Sequence, residues 1–241
     1  MHRVWIIVLH ELSTYLRNPM GYIIGAAVLL IDGLLFNAFA LGAGARLSTE
    51  VLQQFFYFSS GTTMIAALLL SIRLFAEERQ TGTMVLLRTA PISDWETVFS
   101  KFISAFLFLG GLTLLTIYMP LLIFVHGKVS IGHMAVGYIG LLALSSASLS
   151  IGLFASSLSR SQVVSGVVGA AILVVLLVCW LLAAVADPPL AGVFENLSLH
   201  NLHFRPFMEG VMHTRDLVYY ASITYLFLIL SVRVLAARRW S

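Results

Sequence analysis

Glu77, Glu78 and Arg79 stand in a row between two long apolar stretches, in a chain of 241 residues that is 10% charged and 59% hydrophobic. The polar island continues through Gln80-Thr81-Gly82-Thr83-Met84-Val85-Leu86-Leu87-Arg88-Thr89-Ala90-Pro91-Ile92-Ser93. Its chemistry is recognition. Two carboxylates and a guanidinium supply polar contacts, and Met84 with Leu87 supplies an apolar plug. Apolar anchors carry most of the energy of a docking contact, and exposed ion pairs carry little. The plain alternative is a solvated loop that keeps two helices apart. Local punctuation argues against it. Gly82 suits the end of one helix and Thr83 the cap of the next. Ser93-Asp94-Trp95-Glu96 has the form of a capping box, with Asp94 favouring the helix dipole. A short helix is therefore expected across the island, closed by Ala90-Pro91.

Other reactive side chains are sparse. Asp32 is the one acid deep inside an apolar run, where a carboxylate is costly and marks a functional candidate. With Gly33 and Asn37 it makes either a structural polar packing site or part of a translocation path. Glu195, His200, His203, Glu209 and His213 gather in one later segment. Histidine is a common metal ligand. No cysteine joins them and a lone His-x-x-His spacing is weak, so polar positions on interfacial helices are the expected reading and no metal site is expected. Gly127-Lys128 is followed by Val129 and lacks the earlier glycine of a phosphate-binding loop. His10-Glu11 opens a zinc-protease pattern, but Thr14 stands where the second histidine belongs. Cys179 is the single cysteine, so no intrachain disulfide is possible. The residues thus suggest a non-catalytic chain that carries no cofactor of its own and binds no nucleic acid.

The elements that position these residues are read from hydropathy. Mean hydropathy is +0.96. Apolar runs of about 20 residues recur, the length that crosses a hydrocarbon core of about 30 Å. The short alternating segments of a spanning barrel are missing. The chain reads as one all-α integral membrane domain over 1–241, with six spans near 22–41, 55–75, 102–125, 134–155, 163–186 and 217–236. The third contains Gly110, Gly111 and Pro120. Residues 1–17 are not a span: Val4, Trp5, Val8, Leu12, Tyr15 and Leu16 share one face, which suits an interfacial helix ended by Asn18-Pro19. The apolar run 4–9 is broken by His10 and Glu11, so no cleavable signal peptide is expected. With both termini in the cytoplasm, ten Lys and Arg fall on that side against four outside (Arg46, Lys128, Arg205 and Arg215), as the positive-inside rule prefers. The island 76–93 is then cytoplasmic. The segment 187–216 is external, and its mix of leucines, phenylalanines and charges suits helices lying at the surface or dipping shallowly between the spans. Small residues such as Ser148, Gly152, Gly166 and Gly169 in spans four and five permit close helix packing.

The island, from Ala76-Glu77-Glu78-Arg79-Gln80-Thr81-Gly82-Thr83 to Ala90-Pro91-Ile92-Ser93, resembles the cytoplasmic signature of ABC-2-type permeases of ATP-binding-cassette transporters. Phe207-Met208-Glu209-Gly210-Val211, Arg215-Asp216-Leu217-Val218-Tyr219-Tyr220, the opening Glu11-Leu12 with Asn18-Pro19-Met20-Gly21-Tyr22, and Ala237-Arg238-Arg239-Trp240 are similar to its gliding-motility-type (GldF-like) branch. The resemblance covers essentially the full length. It implies a six-span ABC-2 (type V exporter-like) permease of the bacterial inner membrane that dimerises as a homo- or heterodimer. It implies a separate ATPase subunit that carries ATP and magnesium, with 1–17 as the elbow helix and 76–93 as the coupling segment. Glu77, Glu78, Arg79, Gly82, Thr83, Met84, Leu87 and Pro91 would then contact the ATPase, and Asp32 and Asn37 would border a path. An alternative is a mechanotransmission subunit that drives an extracytoplasmic accessory protein and carries nothing; the long outer segment favours it.

Overall fold

Asn18 separates the first two helices. Its side chain accepts from the Met20 N–H at 3.1 Å, with Pro19 at the first helical position, so α1 (His2–Arg17) stops and α2 (Pro19–Leu35) begins. The computed structural model describes residues 2–41, 47–82, 93–126 and 129–237. Among these residues the chain is all-helical, with no strand. The end of α2 widens into a π-helical turn, Phe36–Leu41. There follow α3 (Ser48–Ser71), α4 (Arg73–Gln80), α5 (Asp94–Leu115), α6 (Tyr118–His126), α7 (Ile131–Leu158), α8 (Gln162–Val185), α9 (Leu190–Leu197), α10 (Arg205–Met208) and α11 (Thr214–Ala237).

Among the described residues six stretches are long and apolar enough to cross a membrane: Pro19–Phe39, Ser48–Gln80, Asp94–Val125, Ile131–Leu158, Gln162–Val185 and Thr214–Ala237. The expected number of spans stands, and their ends move. The third is not one helix. Pro120 has no N–H to give the Thr116 carbonyl, and the chain breaks there into α5 and α6. The capping box that starts α5 is formed: Glu96 N donates to Ser93 Oγ at 3.2 Å, and Ser93 N to Glu96 Oε2 at 2.9 Å.

α7 is the central helix. The apolar window of α7 is 72% buried, against 17% for α8, so α8 presents most of its surface outward. Those outward residues include Val164, Val167, Val174 and Val175. Such a face suits lipid or another apolar helix, not water. Gly152 and Gly169 let α7 and α8 close on Ser71 and Leu68 of α3, so the small residues serve packing within the chain.

Among the described residues two apolar clusters fill the interior. One, around Phe55, Phe56, Tyr138, Phe204 and Phe207, lies toward the end holding α9 and α10. We call this the cap end. The other, around Leu70, Phe75, Val98, Phe102 and Leu153, lies toward the opposite end, with α1 and α4. In α1, Val8 is fully buried while Trp5 and Leu16 stay exposed. The helix thus packs on a narrower stripe than its apolar face, and the rest is available to lipid.

Candidate functional site

α4 is the helical base of the polar island. It begins where α3 breaks at Ile72, and a break inside a bundle leaves backbone groups to satisfy. Ser156 of α7 satisfies three of them. Its hydroxyl accepts from Phe75 N at 3.0 Å and Ala76 N at 3.1 Å, and donates to the Ile72 carbonyl at 2.9 Å. Arg79 Nη1 donates to the Ser159 carbonyl at 2.9 Å, and Gln162 Nε2 to Gln80 Oε1 at 3.3 Å. α4 is thereby fastened to the turn between α7 and α8.

Its other side is fastened by Lys101 of α5. The side chain is 2% exposed, and Nζ lies 2.6 Å from Glu11 Oε1 of α1 and 2.7 Å from Glu78 Oε1 of α4. The ammonium also sits 5.6 Å from the Phe75 ring centroid. A lysine this buried would be severely destabilising alone, and two carboxylates offset its desolvation. Arg73 Nε and Nη2 donate to the Glu77 carboxylate, each at 2.9 Å. Lys101, Glu11, Glu78 and Ser156 together form a collar that joins α1, α4, α5 and α7.

The structure places the expected contact residues unevenly. Glu78 and Arg79 turn toward the chain's own helices, while the Glu77 side chain keeps 41% of its surface. Gly82 has φ +75°, the left-handed conformation that glycine adopts without strain, and a Cβ at this position would meet nothing within 4 Å. Thr83, Met84, Leu87 and Pro91 lie outside the described residues. Lys101 and Ser156 join this collar although no sequence motif marks them, and Glu11 joins it in a role its motif does not announce. The available signal is the register of Lys101 with Val98 and Ala105, which puts it on the buried face of an apolar helix.

Asp32 is buried at 4% exposure and accepts from Thr62 Oγ1 of α3 at 2.6 Å. Asn37 is exposed on the π-helical turn and does not join them. The same α2–α3 wall borders a cleft of about 480 Å³ lined by Ile31, Tyr57, Thr62, Trp180 and His200.

At the cap end, His200 lies 2.8 Å from Ser60 Oγ, and burial pulls its pKa down to about 4. His203 pairs with Asp216 at 2.7 Å and stacks on Tyr219 at 3.7 Å between centroids. Tyr220 Oη donates to the Leu199 carbonyl at 2.8 Å, and the Leu199 N–H to the Leu176 carbonyl at 3.1 Å. Glu209 pairs with exposed Arg205, and His213 is exposed. His200, His203 and Glu209 thus take separate partners. Among the described residues no three His, Cys, Asp or Glu side chains converge as a metal site would need.

The family described as ABC-2 family transporter protein matches residues 5–239. A search of curated proteins finds no match. Six apolar crossings, a buried polar collar beneath the island and a family match over nearly the whole length agree: the chain belongs to the ABC-2 transporter family, as a multi-pass membrane permease subunit of an ATP-binding-cassette transporter.

Proposed function

We propose that the collar is the device by which a separate ATPase moves this permease. ATP and magnesium bind on that ATPase. The segment after Gly82 docks against it, with Met84 and Leu87 as apolar anchors, Glu77 as the accessible carboxylate, and Thr83 and Pro91 among the contacts. Glu78 and Arg79 hold α4 to the spans instead of reaching outward. The observation that carries this reading is Lys101, buried at 2% exposure and gripping α1 and α4 at once. A push on α4 then reaches α1, α5 and α7 as one movement. Both termini and the collar lie in the cytoplasm of this scheme, in a bacterial inner membrane, and 1–241 acts as one domain. The outward face of α8 receives a second permease subunit. Asp32 and Thr62 border the substrate's path, with Asn37 at its rim. The resemblance of Phe207-Met208-Glu209-Gly210-Val211 and Arg215-Asp216-Leu217-Val218-Tyr219-Tyr220 supports the GldF-like branch.

The test is co-purification with the partner ATPase and its hydrolysis rate. Leu87→Ala or Met84→Ala should weaken association more than Glu77→Ala, because truncating an apolar anchor commonly costs about 2 kcal/mol or more. Wild-type association and hydrolysis in all three variants would make the island a mere loop.

A second reading is favoured by the cap. It is bonded to α3 through Ser60, to α8 through Leu176 and to α11 through Asp216 and Tyr220. With His133 of α7 also 2.6 Å from the Met208 carbonyl, a cap tied to four spans suits transmission of movement to an extracytoplasmic protein without passage of a substrate. Loss of function on deleting such a protein, with hydrolysis intact, would favour it.

A further inference from the structure

Two cavities meet at Met20, Ile24 and Arg73. One is an apolar slot of about 300 Å³ between α2 and α3, walled by Ile23, Ala27, Ile31, Ile65 and Leu69. The other is a polar pocket of about 220 Å³ where α1 meets α4, lined by Glu11, Thr14, Asn18, Glu77, Glu78 and Lys101. The slot follows α2 from Met20 to Ile31, a rise of about 16 Å at about 1.5 Å per residue. That is about half of a ~30 Å hydrocarbon core, the depth of one leaflet.

The chemistry changes in a fixed order along this path. Apolar walls come first, then the Arg73 guanidinium at the junction, then carboxylates. Arg73 gives Nε and Nη2 to Glu77, and its Nη1 makes no hydrogen bond among the described residues. Lys101 is engaged by Glu11 and Glu78. The pocket holds three carboxylates against two cations, and Glu77 is the most accessible of the three acids.

We propose that this composite site binds a phosphatidylethanolamine of the adjacent leaflet. Its acyl chain occupies the slot, its phosphate meets Arg73, and its ammonium donates to Glu77 and the oxygens of Thr14 and Asn18. A choline headgroup has no N–H to donate, and an anionic glycerol headgroup has no cation for the acids. The bound lipid touches α1, α2, α3 and α4 together, so occupancy sets how closely α1 holds against α4. The site goes beyond the coupling scheme but shares Glu77 with it, and its test reads lipid retention, which ATPase association does not affect.

The test is native mass spectrometry of the purified full chain in detergent doped with equal amounts of phosphatidylethanolamine, phosphatidylcholine and phosphatidylglycerol of matched chains. The wild type should retain one ethanolamine lipid in preference to the others by about fivefold or more, the scale of one net hydrogen bond. Ala27→Trp and Leu69→Trp place bulk in the slot from exposed positions, and each should lose that lipid while keeping the wild-type melting midpoint. Glu77→Gln should keep a lipid and lose the headgroup preference. Equal retention of all three lipids by the wild type would overturn the proposal. So would undiminished ethanolamine lipid in either well-folded tryptophan variant.

Discussion

The Ser156 hydroxyl lies 3.0 Å from the backbone nitrogen of Phe75, across 81 positions of chain. It caps a helix that no residue of α3 or α4 caps by side chain. Ser156→Ala would remove the side-chain acceptor of the Phe75 and Ala76 N–H groups, at a cost of about 1–3 kcal/mol. Ser157→Ala removes only a bond to the carbonyl of Phe154 in the same helix and should change little. Unfolding midpoints of the two purified variants check this, with Ser156→Ala clearly the lower. Equal midpoints would deny the cap its role.

Gly82 and Gly61 make a matched pair, because a Cβ at either meets nothing within 4 Å. Gly82 is at φ +75°, so Gly82→Ala should destabilise the turn by about 1–2 kcal/mol. Gly61 is inside α3, so Gly61→Ala should stabilise by about 1 kcal/mol. Thermal midpoints of opposite sign are the expected result. Only the Gly82 variant should also lower ATPase hydrolysis.

Asp32 and Thr62 separate a structural role from a path. Thr62→Val removes the donor at 2.6 Å from a buried carboxylate and should cost about 1.5–3 kcal/mol, the range for a bond to a charged group. Asp32→Asn keeps a partner for Thr62 and should fold. If Asp32 borders the path, that variant loses function at normal protein level. Normal function in a stable Asn variant would remove Asp32 from the path.

His200 gives the cap a pH dependence of defined sign. The folded state holds its pKa near 4, below the usual 6.5. Between those values the unfolded chain binds more protons than the folded one, so stability falls as pH falls through that window and is full above about 6.5. Its neighbours are Ser60, the Tyr57 ring at 5.6 Å and the Phe204 ring at 5.1 Å, none of them charged. Melting midpoints measured from pH 7 to pH 5 should decline in the wild type, and His200→Gln should flatten part of that slope. An unchanged slope in the variant would contradict the assignment.

What is legible in the sequence is local. The capping box at Ser93 and Glu96, the stop at Asn18-Pro19 and the positive φ of Gly82 each follow from residues within a few positions of one another. The number of spans follows from hydropathy alone. Pro120, placed inside the third span by its hydropathy, signals the break at Thr116. The collar is out of reach for another reason. Lys101 and Glu11 are 90 positions apart, and a lysine near a span end reads as an interfacial charge until the fold buries it. Glu78 and Arg79 resemble outward contacts because a charged island suggests a surface. The helix phase of α4 turns them inward, and that phase depends on a break at Ile72 that no motif announces.

In the proposed scheme the ionic tie at Lys101 passes ATPase movement into the spans. Removing Lys101 alone would take the cation away from two partly buried acids and destabilise the fold, so the informative variant neutralises all three groups together. Glu11→Gln, Glu78→Gln and Lys101→Met in one chain should fold, reach the membrane and still co-purify with the ATPase. The measurement is ATP hydrolysis by that complex reconstituted in lipid nanodiscs. The predicted result is hydrolysis reduced to the rate of the ATPase alone, with association retained. Wild-type hydrolysis by a stably associated triple variant would contradict the account.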